Sequence, residues 1–241
     1  MAGGAGAMNM DRGGGGQAPA AAFGGLGGRA RAVLGAEFAA LYLGMPLALA
    51  FLLPASAMWP VMFAALAFAL FLLRRAEGFR WLERIHPPTV RGWVWTLAVG
   101  VATMGASLAA MAALRPEALF GLPIHMPRTW VMVMLLYPLV SALPQEVLFR
   151  TLFFERYAPL FPSRAWAVAA NGAVFGLAHL FLNNWIAVVL SGLGGALFAL
   201  AYLEAGPKRG LLTVSAMHGI AGCALFTAGM GVFFYHGMAA P

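Results

Sequence analysis

The sequence predicts an all-α, polytopic transmembrane helix bundle, and three observations carry that prediction. Of the 241 residues, 62% are hydrophobic and 10% charged, where soluble domains average about 45–50% apolar and about 25% charged. Several apolar stretches exceed the roughly 18 uncharged residues that mark a spanning helix, of which about 20 are needed to cross ~30 Å of hydrocarbon. Trp59, Trp81, Trp93, Trp95, Trp130, Trp166 and Trp185 all stand at or near the ends of those stretches, at the headgroup level that amphipathic rings prefer.

Taken in order, the spans fall at about 33–53, 58–73, 93–114, 130–154, 165–182, 185–203 and 211–235. That makes seven, with six or eight allowed by the short connection at Pro54 and the prolines of the fourth span. Residues 1–32 are Gly/Ala-rich, with no continuous apolar segment before a cleavage site, and read as a flexible tail rather than a signal peptide. The membrane domain is 33–241. The loop 74–91, with Phe79, Trp81, Leu82 and Ile85 among its charges, is expected to form an amphipathic helix at the inner surface that ends before Pro87.

The formal charge is +7. Clustered on a soluble face it would suggest nucleic acid; here the cations sit between spans, so the partner is the lipid headgroup layer and no nucleic acid is expected. Arg29 and Arg31 precede the first span, Arg74 to Arg91 follow the second, Arg156 and Arg164 flank the connection after the fourth, and Lys208 and Arg209 that after the sixth. Only Arg115 and Arg128 fall on the other side. By the positive-inside rule the N-terminus is cytoplasmic and the C-terminus outside. Cys223 is the only cysteine, which precludes an intrachain disulfide and suits a buried thiol. Ser191, Gly192, Gly194, Gly195 and Ala196 form a small-residue face for close helix packing.

Ionisable groups inside spans cost about 2.5–3.5 kcal/mol each on insertion scales and by default mark function. The fourth span holds Gln145, Glu146 and Arg150 between Pro144 and the helix end, with Glu146 and Arg150 four residues apart on one face, where they can pair. The fifth holds Phe175 and His179, and the seventh His218. A carboxylate, an arginine and two imidazoles in apolar helices are an inventory for acid and base chemistry on water in a partly dry cavity, with no covalent nucleophile.

The order QEVLFR at 145–150, FGLAH at 175–179 and a histidine at 218 resembles the CPBP family. These are membrane-embedded glutamic endopeptidases that include the type II CAAX prenyl proteases and bacteriocin-processing or immunity proteins. The resemblance covers about 130–235. It implies an intramembrane peptidase of a bacterial inner membrane, free of cofactor, cutting a membrane-associated peptide near the cytoplasmic face. In that reading Glu146, with Gln145, activates water, Arg150 fixes the carboxylate, His179 assists proton transfer and His218 supports the oxyanion. Two positions depart from the family pattern. Gln145 stands where the first of two adjacent glutamates is regarded as activating water, and an amide cannot take a proton at neutral pH; Gly222 stands where an asparagine or aspartate helps hold the oxyanion.

Four other readings compete. A homologue could bind a peptide in the same cavity without cutting it. Zinc could be held by Glu146, His179 and His218, although there is no HExxH pair. A serine protease could use Ser191, although Val189 breaks the usual glycine-flanked loop. A proton-coupled transporter could use Glu146 with Glu37. The predicted boundaries also leave Glu146 on the cytoplasmic half of its helix and His179 on the outer half of the next, an offset of roughly 12 Å at ~1.5 Å per residue. If the family resemblance holds, the two helices must shift until these residues meet.

Overall fold

The computed structural model describes Phe23 and residues 27–234. Most of the predicted tail (1–22 and 24–26), Tyr235 at the end of the last predicted span and His236 lie outside the described residues. Among the described residues there are helices and turns and no strand: α1 (Gly28–Phe51), α2 (Ala55–Arg75), α3 (Val90–Leu114), α4 (Gly121–His125), α5 (Pro127–Leu160), α6 (Arg164–Leu182), α7 (Trp185–Ala228) and α8 (Gly231–Phe234). All but α4 and α8 are long and apolar enough to cross a membrane. The chain is an integral membrane protein.

The helix ends follow from local chemistry. Thr89 accepts from the backbone N–H of Gly92 to cap α3, Ser163 caps α6 through the N–H of Trp166, and Asn184 caps α7 through that of Ile186, each satisfying one of the orphan donors at a helix start. Asn183 beside it takes the left-handed conformation (φ 50°) that ends α6, so the Asn183–Asn184 pair closes one helix and opens the next.

Two spans predicted as separate, 185–203 and 211–235, emerge as one helix of 44 residues, about 66 Å if it were straight. It is not straight. Gly206 has φ 74° and ψ 172°, a backbone conformation open to glycine, and Pro207 follows without an N–H. The helix doubles back there: the rings of Phe198 and His218, twenty positions apart in the chain, stack at 5.0 Å, and a Cβ on Gly210 would lie 2.8 Å from the ring of Tyr202. The arms 185–205 and 207–228 are therefore antiparallel, so among the described residues the six long apolar helices supply seven segments long enough to cross a membrane.

The fourth span also differs from its predicted limits. It runs from Pro127 to Leu160 rather than 130–154, with wide π-type turns at Tyr137–Ala142 and Val147–Tyr157. Such turns are frequent at functional sites, and Pro138 and Pro144, which lack N–H donors, stand within or just before them. The first helix begins at Gly28, five residues before the predicted start. The loop after α2 is not the amphipathic helix expected of it: it turns at Ala76–Phe79, makes one short helical turn at Trp81–Glu83 and then runs without regular structure to Thr89. Backbone contacts, not a helix, hold it down. His86 N–H donates to the carbonyl of Lys208 (3.0 Å), the Arg209 guanidinium donates to the carbonyl of Pro87, and Arg84 pairs with Glu155 at 2.5 Å.

The end carrying the arginine-rich loops is packed by aromatic rings. Phe38, Tyr42, Phe149, Phe153, Tyr157 and Phe161 form a continuous aromatic cluster with centroids 5.0–5.8 Å apart for the pairs Phe38 makes. Each such pair contributes about 0.5–1.5 kcal/mol beyond area burial. That matters in lipid, where packing rather than water exclusion holds helices together.

Candidate functional site

The opposite half of the bundle encloses a cavity of about 770 Å³. Its wall includes Tyr137, Ser141 and Gln145 from α5, His179 from the end of α6, and His218 from the second arm of α7. Glu146 and Arg150 are not in that wall. Both side chains are fully buried behind it, and consecutive residues on α5 thus divide: Gln145 faces the cavity and Glu146 faces the helices. The separation of about 100° per residue along a helix produces this split.

Glu146 is held from two sides. One carboxylate oxygen accepts from His218 Nδ1 at 2.7 Å, and the other lies 3.1 Å from Arg150 Nε. Arg150 in turn donates to the Gly195 carbonyl at 3.2 Å and lies over the rings of Phe175 (4.4 Å) and Phe198 (5.5 Å). A buried charge without such partners would cost several kcal/mol, so the guanidinium and the aromatic faces are what allow a carboxylate at this depth.

The hydrogen bonds assign the imidazole protons. The Glu146 carboxylate can only accept, so His218 Nδ1 carries hydrogen and its Nε2, 3.0 Å from the Tyr137 hydroxyl, faces the tyrosine. The Phe175 carbonyl can only accept, so His179 Nδ1 donates to it (2.8 Å), and in the neutral ring Nε2 keeps a free lone pair. Gln145 Nε2 donates to Ser141 Oγ at 2.9 Å, while Gln145 Oε1 has no protein partner although buried. A buried acceptor of this kind needs a water or a ligand to satisfy it.

The depth mismatch expected from the sequence resolves at the aromatic residues. Phe149 and Phe175 meet edge to face at 5.0 Å, the Asn171 amide donates to the Phe149 carbonyl, and Arg150 covers Phe175. Glu146, one turn earlier on α5, therefore lies level with the 175–179 turn. With α5 running from Pro127 to Leu160, its middle lies between residues 143 and 144, two to three residues before Glu146. Asn171 thus bonds to a neighbouring helix rather than lining the cavity.

Tyr137 is the site residue that sequence reasoning missed. A Cβ added at Gly222 would lie 2.1 Å from the Tyr137 ring and 2.6 Å from its hydroxyl, and one at Gly219 would lie 2.9 Å from Pro138. The two glycines, one turn apart, let the Tyr137–Pro138 step press against the second arm of α7, and the tyrosine hydroxyl occupies the space that a side chain at 222 would enter. The sequence signal was the pairing of a Tyr-Pro step in one span with His218, Gly219 and Gly222 in another. It has no meaning until the helices are paired.

The remaining candidates lie elsewhere. Glu37 pairs with Arg156 (2.5 and 2.7 Å) and accepts from the Tyr157 hydroxyl (2.6 Å) at the basic end, outside the cavity wall. Ser191 lines the cavity. Cys223 is half-buried, with its Sγ 3.9 Å from the Met134 carbonyl. His125 is exposed at the end of α4. Among the described residues, no three His, Cys, Asp or Glu side chains converge as a metal-holding group.

The helices thus bury a Glu-Arg-His cluster behind the part of the cavity wall that carries Gln145, His179 and Tyr137. Residues 127–234 match the family model described as type II CAAX prenyl endopeptidase, Rce1-like. This segment begins at the first residue of α5 and ends at the last of α8, and over it the chain is similar to the CAAX-type membrane endopeptidases. No curated protein and no solved structure matches the chain.

Proposed function

We propose that this chain hydrolyses a peptide bond within a membrane-associated substrate, with Glu146 as a positioning residue rather than the base that touches water. The observation that carries this reading is the 2.7 Å bond from His218 Nδ1 to a Glu146 carboxylate that does not reach the cavity. In the proposed step, water donates one hydrogen to His179 Nε2 and the other to Gln145 Oε1, the two free acceptors of the wall. His179 takes its proton as the oxygen attacks the scissile carbonyl carbon. The proton then passes to the leaving amine nitrogen as the C–N bond breaks, leaving a carboxylic acid and an amine.

The oxyanion lies on the His218 side. His218 carrying both protons donates from Nδ1 to Glu146 and from Nε2 to Tyr137 Oη, so the tyrosine O–H is free to donate to the oxyanion. A carboxylate flanked by guanidinium and imidazolium carries one net positive charge, which the oxyanion balances in a poorly solvated site. Tyr137 thereby supplies the donor that Gly222 lacks. On this reading the protein is a glutamic-type membrane peptidase by its motif, working through its histidines, and the positions of the arginines support an N-terminus on the cytoplasmic side of a bacterial inner membrane.

A second reading has its own support in Gln145: an amide at the position of the activating glutamate suits a homologue that holds a peptide without cutting it. Cleavage of a membrane-peptide library by purified protein separates the two. His179→Ala is expected to lose about 10²–10⁴-fold, the usual contribution of a general base, and Tyr137→Phe about 10²–10³-fold, the cost of one oxyanion donor. Glu146→Gln lowers kcat with little change in KM. A wild-type protein that is inert while Gln145→Glu cuts establishes the binding homologue instead, and cleavage by no variant rejects proteolysis.

A further inference from the structure

Serine and threonine hydroxyls inside a helix commonly bond back to a carbonyl one turn earlier. Thr213 does so to the carbonyl of Arg209 (2.8 Å) and Thr227 to that of Cys223 (2.7 Å). Ser141, in the wide turns of α5 at Tyr137–Ala142, makes no such bond among the described residues. Its hydroxyl is turned instead to the side chain four positions on, where Gln145 Nε2 donates to Ser141 Oγ at 2.9 Å. Both residues lie in the cavity wall, and the other end of the Gln145 amide, Oε1, is buried without a protein partner. The two side chains therefore form a unit on one face of α5 whose polar atoms are tied to nothing else in the described protein.

A side-chain amide has two ends of nearly equal size and opposite character: the oxygen accepts and the NH2 donates. Turning it over exchanges them without moving a carbon, so packing does not select one orientation. A hydrogen-bond partner does. With Nε2 held by Ser141, Gln145 offers an acceptor, which takes one hydrogen of a water and leaves the water's lone pair for the scissile carbonyl. With the amide reversed, Gln145 would aim an N–H at the same water and engage the lone pair that has to attack. A carboxylate at this position has two equivalent acceptor oxygens and needs no such control; the glutamine that stands here does.

We propose that Ser141 is a positioning residue, which fixes the Gln145 amide with its oxygen left free for the attacking water and so lets an amide serve where the family pattern has a glutamate. The effect on rate rests on the hydrolytic reading above; the orientation of the amide does not. A role through Gln145 has one consequence that a packing role lacks. Ser141 matters only while residue 145 is an amide, because a carboxylate presents an acceptor whichever way it is turned.

The test combines cleavage of the membrane-peptide library with nuclear magnetic resonance of the amide itself, both on the full chain in lipid nanodiscs. Ser141→Ala should lower kcat about 2–10-fold, the worth of one neutral hydrogen bond, with little change in KM, and Ser141→Thr, which keeps the hydroxyl, should restore most of it. In a Gln145→Glu background the same Ser141→Ala change should cost less than twofold. Equal losses in the two backgrounds, or a loss in neither, overturn the proposal. The chain has two glutamines, Gln17 and Gln145, so after Gln17→Ala a single side-chain NH2 signal reports residue 145. One of its protons should carry the shift and slowed exchange of a bond to Ser141, lose both in Ser141→Ala and keep them in Ser141→Thr. An NH2 that does not respond to Ser141→Ala overturns the proposed orientation whether or not the protein cuts. A response accompanied by cleavage from no variant upholds the orientation and rejects only the proteolytic reading.

Discussion

The two ends of this bundle are built on opposite rules. At the basic end charges are abundant and paired, an aromatic cluster locks α1 against α5, and loops are tied down by backbone carbonyls. At the other end the helices part around a large cavity whose wall has no charged side chain except as histidine. Between them sits the Glu146–Arg150–His218 cluster, where, alone among the ion pairs of the described residues, both side chains of the Glu146–Arg150 pair are fully buried. The two ends divide the labour. One end fixes where the helices stand, and that rigidity lets the other end stay open without collapse, which in lipid would otherwise be opposed by nothing but packing.

The comparison breaks most severely at the central cluster. Arg150→Ala leaves the Glu146 carboxylate buried with one partner, and removal of one member of a buried pair costs about 3–5 kcal/mol. Thermal unfolding in detergent should show that loss, and adding Glu146→Gln should recover most of it. An unchanged melting temperature in Arg150→Ala would mean that the carboxylate is not held as described.

A smaller effect is expected where the open end presses most closely. Gly222→Ala sets a methyl against the Tyr137 ring, an overpacking of about 1–3 kcal/mol. Combining it with Tyr137→Ala should relieve the strain, and a double variant no more stable than Gly222→Ala alone would refute the contact.

The basic end should be the most tolerant to single changes despite its many ion pairs. Arg164→Ala removes an exposed pair with Glu204, and such pairs are worth about 0–1 kcal/mol. Glu37→Gln, in a half-buried pair that also holds Tyr157, should cost somewhat more while leaving cleavage of the membrane-peptide library unchanged. A change in that cleavage would show that the two ends are coupled rather than divided.

Much of this was legible before any helix was paired. Apolar run length determined that the chain lives in a bilayer, the arginines determined which ends of the helices share a side, and the i,i+4 spacing of Glu146 and Arg150 determined their contact, because each depends on neighbours within a turn or on the bilayer itself. The break at Gly206–Pro207 was visible as the gap between two predicted spans. The prediction of an amphipathic loop helix failed because its apolar residues are used one at a time: Phe79 and Trp81 pack inward while Leu82 stays exposed, and carbonyl contacts hold the rest of the loop without regular structure.

What only the tertiary structure decided is which helix faces which. The bond between Glu146 and His218 spans 72 positions, and no periodicity encodes it. The same pairing turns Gln145 into the cavity and Glu146 out of it, brings Tyr137 into the space left by Gly222, and sets the cavity on the side away from the cations. Local sequence specifies helices because their hydrogen bonds are local; the site depends on rotation and depth of one helix against another, which are set by contacts between residues far apart in the chain.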